Sequence, residues 1–190
     1  MKRSLFALLV HAAAAPLLEG CFPLAVTGVG ATALVAADRR TTGIYIEDEN
    51  IEWKALRAVN DTVPAAHINA TSYNRKVLLT GEAPSDADKT KIADAVSKVA
   101  SVREVTNEIQ VAGNSSLASR GSDGLITSNV KARMVNNGKF SVNHVKVLTE
   151  QGVVYLMGLV TQPEGDAAAE IARTTSGVTR VVKVFEYISK

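Results

Sequence analysis

Alternating apolar and polar positions divide the first half of the chain into short elements. Residues 67–83, "HINATSYNRKVLLTGEA", predict two strands joined by a tight turn at Asn74-Arg75. Helical spacing precedes them at 49–59 and returns at 86–99, and a last strand follows in "EVTNEIQV". The pattern therefore predicts the order α-β-β-α-β.

The second half repeats this pattern. Residues 67–83 align without gaps to 144–160, "HVKVLTEQGVVYLMGLV", and residues 99–111 align to 175–187 after the loss of one residue in a loop. Apolar residues and glycines meet their counterparts in the repeat, as in Val77 with Val154, Leu79 with Leu156 and Gly81 with Gly158. Two copies of one small fold explain these matches better than chance does.

Each copy predicts an α+β fold in which a three-stranded mixed sheet packs on two helices. The strand–helix–strand crossover makes the last two strands parallel, and the tight turn makes the first two antiparallel. In the second copy the helix at 123–135 carries one buried stripe, and Gln151-Gly152 forms the turn. Gly81 and Gly158 are predicted structural glycines, placed where a bend or a close approach of a helix requires no side chain.

The N-terminus has the features of an export signal. Basic Lys2-Arg3 precedes an apolar run that is too short to span a membrane comfortably, and Leu18, Gly20 and Cys21 match a lipoprotein cleavage site. Glu19 departs from that pattern, because a small residue is usual there. Two interpretations stay open at this point: lipidation at Cys21, or an ordinary signal that is cleaved elsewhere.

These boundaries predict five segments. They are a signal peptide at 1–20, a lipidated linker at 21–45, a first domain at 46–112, a Gly/Ser-rich interdomain linker at 113–122 and a second domain at 123–190.

Composition narrows the function classes. The formal net charge is only +2, which argues against a nucleic-acid binder that works by bulk charge. The single cysteine excludes an internal disulfide. No Cys/His cluster has metal-ligand spacing and no phosphate-binding loop is recognisable, so we predict no metal and no cofactor.

Catalytic residues are not recognisable either. His67 and His144 occupy the same place in both repeats, which favours a shared structural role, and neither has a nucleophile or an acid at catalytic spacing. We therefore predict that the protein is not an enzyme. Trp53, the only tryptophan, is predicted to pack the first helix against its sheet.

The repeated unit resembles the BON domain over residues 46–188, most closely in "GVVYLMGLV" and "AAAEIARTTSGVTRVVKVF". With Cys21 and "DRRTTG" added, the chain is similar to dual BON-domain outer-membrane lipoproteins of Gram-negative bacteria. This resemblance implies a lipid anchor at Cys21 and residence on the periplasmic face of the outer membrane. It also implies binding of anionic phospholipids such as phosphatidylglycerol and cardiolipin, and support of envelope integrity, including at division sites. Implied partners are outer-membrane assembly proteins and proteins that regulate cell-wall amidases.

The same resemblance places the lipid-binding surface on the first helix of the second copy. The residues proposed for it are Leu125, Ile126, Asn129, Lys131 and Arg133. The charge pattern agrees, because residues 124–149 contain no Asp or Glu, whereas the opening region of the first copy is acidic. The helical period places Leu125 outward, where it either inserts between lipid headgroups or folds back over the linker.

Two other functions remain open. BON domains also occur in soluble periplasmic proteins induced by osmotic stress, for which a chaperone-like role is implied. A third candidate is a protein adaptor that binds an envelope partner through the surface between its domains.

Overall fold

The computed structural model describes residues 38–113 and 117–189, which belong to one compact unit. The elements of domain 1 are α1 (Thr42–Thr62), β1 (His67–Tyr73), β2 (Lys76–Ala83), α2 (Asp86–Ser97), β3 (Glu104–Asn107) and β4 (Gln110–Val111). Those of domain 2 are α3 (Leu117–Val135), a 3₁₀ turn (Val142–His144), β5 (Val145–Glu150), β6 (Val153–Val160), α4 (Gln162–Arg173) and β7 (Arg180–Tyr187).

The predicted topology is confirmed in both domains. In domain 1, β2 is central, antiparallel to β1 and parallel to β3 and β4. In domain 2, β6 is central, antiparallel to β5 and parallel to β7. The two predicted tight turns are also confirmed, because Asn74, Arg75, Gln151 and Gly152 all have positive φ.

The last strand of domain 1 differs from the prediction because it divides into two. The Asn107 side chain accepts a hydrogen bond from the backbone N–H of Ile109 at 3.2 Å, and this local turn interrupts the strand. The Glu108 N–H still donates to the Leu79 carbonyl at 2.9 Å, so the divided strand stays attached to β2.

Both first helices begin earlier than predicted. α1 starts at Thr42, with the Thr41 side chain accepting from the Ile44 N–H, so residues 38–45 belong to the folded unit rather than to a linker. α3 starts at Leu117, inside the predicted interdomain linker. Extending an existing helix needs no new nucleation step, so the Ser- and Gly-rich residues of the predicted linker can form the first turns of α3.

Each sheet is covered by helices on one face. Val77 and Leu79 of β2 face the helices of domain 1, and Val154 and Leu156 of β6 face those of domain 2. Strand alternation turns the intervening residues to the other face, where a third core joins the domains. That core consists of Tyr73, Leu78, Tyr155 and Met157, with Leu148, Val153, Leu159, Val182 and Val184 around it. The two sheets therefore pack face to face, and the helices lie outside them.

Candidate functional site

The outward face of α3 carries an isolated large apolar side chain. Leu125 is 69% exposed, and Asn129 and Ala132 lie on the same side of the helix and are also exposed. The predicted outward position of Leu125 is confirmed. Its exposure leaves little of the side chain packed against the residues that the structure describes.

Ile126 does not belong to this face. With Val130 and Met134 it forms the inward stripe of α3, and it packs in the core of domain 2. Its side chain also lies close to the backbone at Gly177. The folded domain does not offer Ile126 to a membrane, so we remove this residue from the predicted lipid-binding set.

The guanidinium group of Arg133 is occupied within domain 2. It donates to the Ile171 carbonyl at 2.8 Å, to the Thr175 hydroxyl at 2.6 Å and to the Thr174 hydroxyl at 2.9 Å. These acceptors lie in the last turn of α4 and just beyond it, where unpaired helix carbonyls favour a cation. Arg133 therefore joins α3 to α4, and its charge is partly committed.

Lys131 and Lys139 are the basic residues near α3 that remain uncommitted. Both are exposed, and neither ammonium group forms an ion pair with any residue that the structure describes. Lys146, by contrast, donates to Glu52 of domain 1 at 2.9 Å and so belongs to the domain interface. The uncommitted positive charge near α3 thus comes from two lysines rather than from the four basic residues of the sequence. Lys131 lies on the side of α3 that lines a groove with Asp48 and Glu52 of domain 1.

Two buried aspartates support the hairpin turns, and sequence reasoning missed them. Asp48 of α1 accepts from the N–H groups of Asn74 and Arg75 at 2.8 and 2.7 Å. Asp123 of α3 accepts from the N–H groups of Gln151 and Gly152 at 2.9 and 2.8 Å. One signal in the sequence could have found them: in both repeats, an aspartate precedes the hairpin turn by a similar number of residues.

A short segment before α1 contacts both domains. Arg39 forms a two-pronged ion pair with Glu164 of α4 at 2.7 and 2.8 Å and donates to the Leu159 carbonyl at 2.8 Å. Arg40 donates to Asp38 at 2.6 Å and to Asp48 at 2.8 Å. In the sequence, "DRRTTG" contributes to the family resemblance and carries no signal for these contacts.

Aromatic rings enclose Arg40. Its guanidinium carbon lies 4.0 Å from the ring centre of Tyr73 and 4.9 Å from that of Tyr45, and its side chain is 6% exposed. Burial alone would lower the pKa of Arg40, but hydrogen bonds to Asp38 and Asp48 raise it, so the cation is retained.

The same contacts shift the pKa of two groups in domain 2. The hydrogen bond from Arg39 is the largest of the effects that lower the pKa of Glu164 to about 2. Burial, together with the positive charge of Arg39, lowers the pKa of His144, whose Nδ1 lies 4.0 Å from Glu164. His144 therefore lies beside a carboxylate of low pKa and loses its own proton more readily than a free imidazole does.

The predicted structural glycines are confirmed, although a strand rather than a helix makes the close approach. A Cβ at Gly81 would clash with the His67 carbonyl oxygen, and one at Gly158 would clash with the His144 carbonyl oxygen. The equivalent histidines thus share a structural position, as predicted, through their backbone. Gly81 also has a φ of +105°, which disfavours any side chain.

The predicted packing of Trp53 is wrong. Its side chain is 74% exposed on α1, on the same side of the helix as Ile46, which is 56% exposed. The inward stripe of α1 is formed instead by Ile51, Ala55 and Val59. One bulky apolar residue is a weak guide to a buried face, because exposed apolar side chains are common.

Cys21 and the signal at 1–20 lie outside the described residues. Among residues 38–113 and 117–189, no helix is both long and apolar enough to cross a bilayer. In the same part of the chain, no group of three or more His, Cys, Asp and Glu side chains is arranged to hold a metal ion.

Two α-β-β-α-β units with packed sheets define a tandem α+β protein. The BON domain family matches this chain twice, over residues 47–113 and 122–189, and the chain belongs to that family.

Three relatives are similar over most of their length. The Outer membrane lipoprotein DolP of Haemophilus influenzae is 41% identical over 175 residues, which cover 90% of each chain. The 21 kDa hemolysin of Actinobacillus pleuropneumoniae is 32% identical, with 80% of this chain and 79% of the relative covered. The Osmotically-inducible protein Y of Escherichia coli is 28% identical, with 77% and 76% covered. The chain is therefore a dual BON-domain protein similar to DolP.

Proposed function

We propose that this protein is an outer-membrane lipoprotein, anchored through Cys21 on the periplasmic face, that binds anionic phospholipids through α3 and supports envelope integrity. The observation that carries the lipid-binding part is exposed Leu125 on α3, in a stretch of sequence without acidic residues that also supplies the exposed, uncommitted Lys131 and Lys139. The name of the Haemophilus relative supports the lipoprotein part. Residence at division sites, and contact with outer-membrane assembly or amidase-regulating proteins, are further parts of this proposal.

Two weak interactions combine in this mechanism. An acyl chain on Cys21 supplies membrane residence, and each lysine near an anionic surface adds about 1 kcal/mol. Leu125 adds a small apolar contact between headgroups, and Asn129 lies beside it on the exposed side. The charges select for phosphatidylglycerol or cardiolipin over zwitterionic lipid, because only the anionic headgroups attract the lysines.

The lipid surface can be tested separately from the anchor. Full chains carrying Cys21→Ser would be mixed with vesicles that contain or lack phosphatidylglycerol or cardiolipin, and bound protein would be measured by sedimentation. Lys131→Glu changes two charge units and should weaken binding to anionic vesicles about 30-fold. Leu125→Glu should weaken it as well.

Lys54→Glu is the matched control, since it reverses an exposed lysine at the corresponding helix of domain 1. It should leave binding nearly unchanged. Arg133 is unsuitable for this test, because its substitution breaks the contact between α3 and α4. Equal binding by Lys131→Glu, Leu125→Glu and the unsubstituted chain would contradict the lipid surface.

The anchor has its own test. Mass spectrometry of the N-terminus should find a diacylglycerol-modified Cys21, and Cys21→Ser should release the protein from the membrane fraction. A soluble periplasmic protein without acylation would favour the alternative suggested by the name of the Escherichia relative, an osmotically induced protein. Lipid binding that needs a second protein would instead favour an adaptor.

A further inference from the structure

The segment Asp38–Arg40 lies where the N-terminal chain enters the folded unit, and its two arginines contact different domains. Arg39 holds Glu164 and the Leu159 carbonyl of domain 2. Arg40, the next residue, holds Asp48 of domain 1. Because adjacent Cα atoms are only about 3.8 Å apart, these two ion pairs fix the domains relative to one another at this point.

These ion pairs are less exposed than ordinary surface pairs, so removal of one partner leaves the other charge poorly solvated. The side chains of Arg40 and Asp48 are 6% and 3% exposed, and those of Arg39 and Glu164 are 25% and 16% exposed. The Arg39–Glu164 pair is also bidentate, a geometry that adds strength and direction. Exposed single pairs, by contrast, contribute little.

The contacts continue into the hairpin turn of domain 1. Asp48 binds Arg40 and also accepts from the N–H groups of Asn74 and Arg75 and from the Ser72 hydroxyl at 2.6 Å. Asn74 in turn donates to Glu186 of domain 2 at 2.9 Å. A continuous set of polar contacts thus runs from α4, through Asp38–Arg40, to the turn between β1 and β2.

We propose that Asp38–Arg40 is an interdomain clip, in which Arg39 and Arg40 are positioning residues that hold the turn of domain 1 against domain 2. The clip goes beyond the proposed function, since it joins the domains whether or not Cys21 is acylated. If Cys21 is acylated, the membrane tether enters at the seam between the domains rather than on one of them. Lys131 of α3 lines the same groove of about 520 Å³ as Asp38 and Arg40.

Native-state hydrogen exchange on the full chain tests the clip. Arg39→Gln removes a side chain whose hydrogen bonds end in domain 2, yet it should speed exchange of the Asn74 and Arg75 amides in domain 1. We expect exchange to accelerate about fivefold or more, because residues in one hydrogen-bond network are energetically coupled and the substitution removes that coupling. Glu164→Gln, which breaks the same pair from the other side, should give the same pattern.

Arg173→Gln is the matched control, because it removes an exposed arginine–glutamate pair from α4 of the same domain. It should leave the Asn74 and Arg75 amides unchanged. The clip is overturned if Arg39→Gln affects only residues 159–165. It is equally overturned if exchange rises by the same factor throughout the protein, including the amides of α2, because that result would mean that Arg39 contributes only to overall stability.

Discussion

The first helices of the two domains occupy equivalent places but differ in what they present to solvent. Both carry a buried stripe and a buried aspartate that binds the hairpin turn. On its exposed side α1 has Trp53 and a mixture of acidic and basic residues, whereas α3 has Leu125 and no acid after Asp123. The repeat has kept the contacts that build the fold, and the exposed sides have diverged.

The two aspartates show the same divergence in the interior. Asp48 binds two turn amides, a serine hydroxyl and Arg40, and the pair with Arg40 links α1 to the entering chain. The contacts described above for Asp123 are to two turn amides. The same cap thus has an additional role in domain 1.

The largest effect should come from Asp48→Ala. This change removes the turn cap and leaves Arg40 buried with only Asp38, so we expect a loss of about 3–5 kcal/mol in the free energy of unfolding. Asp123→Ala removes the cap alone and should cost about 1–3 kcal/mol. Urea unfolding followed by circular dichroism measures both. An equal or larger loss at Asp123 would show that Arg40 adds nothing at Asp48.

Alanine at the paired glycines should come next. Gly81→Ala and Gly158→Ala both create a clash with a histidine carbonyl, and Gly81→Ala also forces alanine to a φ of +105°. Gly81→Ala should therefore be worse by about 1–2 kcal/mol.

Thermal unfolding measures this ranking, and Gly121→Ala is the control. Gly121 lies in α3 with open space around its Cβ position, so alanine there should stabilise the protein by about 0.5–1 kcal/mol. The reverse ranking of Gly81 and Gly158 would contradict the role of the backbone conformation.

The smallest effect concerns His144. Its pKa lies below the usual 6.5, because of burial and then the charge of Arg39. The unfolded chain takes up this proton more readily, so the contribution of His144 to stability is complete above about pH 6.5 and is lost as pH falls from there through the lower pKa of the folded state. Arg39→Gln should raise the pKa of His144, as measured by ring NMR titration and assigned with His144→Gln. An unchanged midpoint would show that Arg39 does not act on this ring.

Much of the fold could be predicted because periodicity survives in both copies. The strands and the buried stripe of α3 follow from apolar spacing, the turns from the residues between the strands, and the pairing from the crossover connection. The starts of α1 and α3 could not, because Thr, Ser and Gly have weak helix preferences and the helices extend into them cooperatively. The packed sheets had an unused signal: "VVYLMGLV" is apolar at every non-glycine position, as a strand buried on both faces requires.

The candidate site was only partly predictable. The family resemblance placed the surface on α3, the helical period placed Leu125 outward, and the absence of acids agreed with the choice of Lys131. The commitment of Arg133 to α4 and of Lys146 to Glu52 depends on contacts between residues far apart in sequence, which charge counting does not reveal. The ion pairs of Arg39 and Arg40 were missed for the same reason.

The central claim is that α3, rather than α1, faces anionic lipid, and tryptophan emission tests it most directly. Trp53 is the only tryptophan and is exposed on α1, so its fluorescence reports on the environment of α1 without any further substitution. Trp53→Phe with Leu125→Trp moves the probe to α3. With phosphatidylglycerol vesicles, emission from position 125 should shift to the blue and that from Trp53 should stay unchanged, both in the Cys21→Ser chain. A blue shift at Trp53 with none at position 125 would contradict the account.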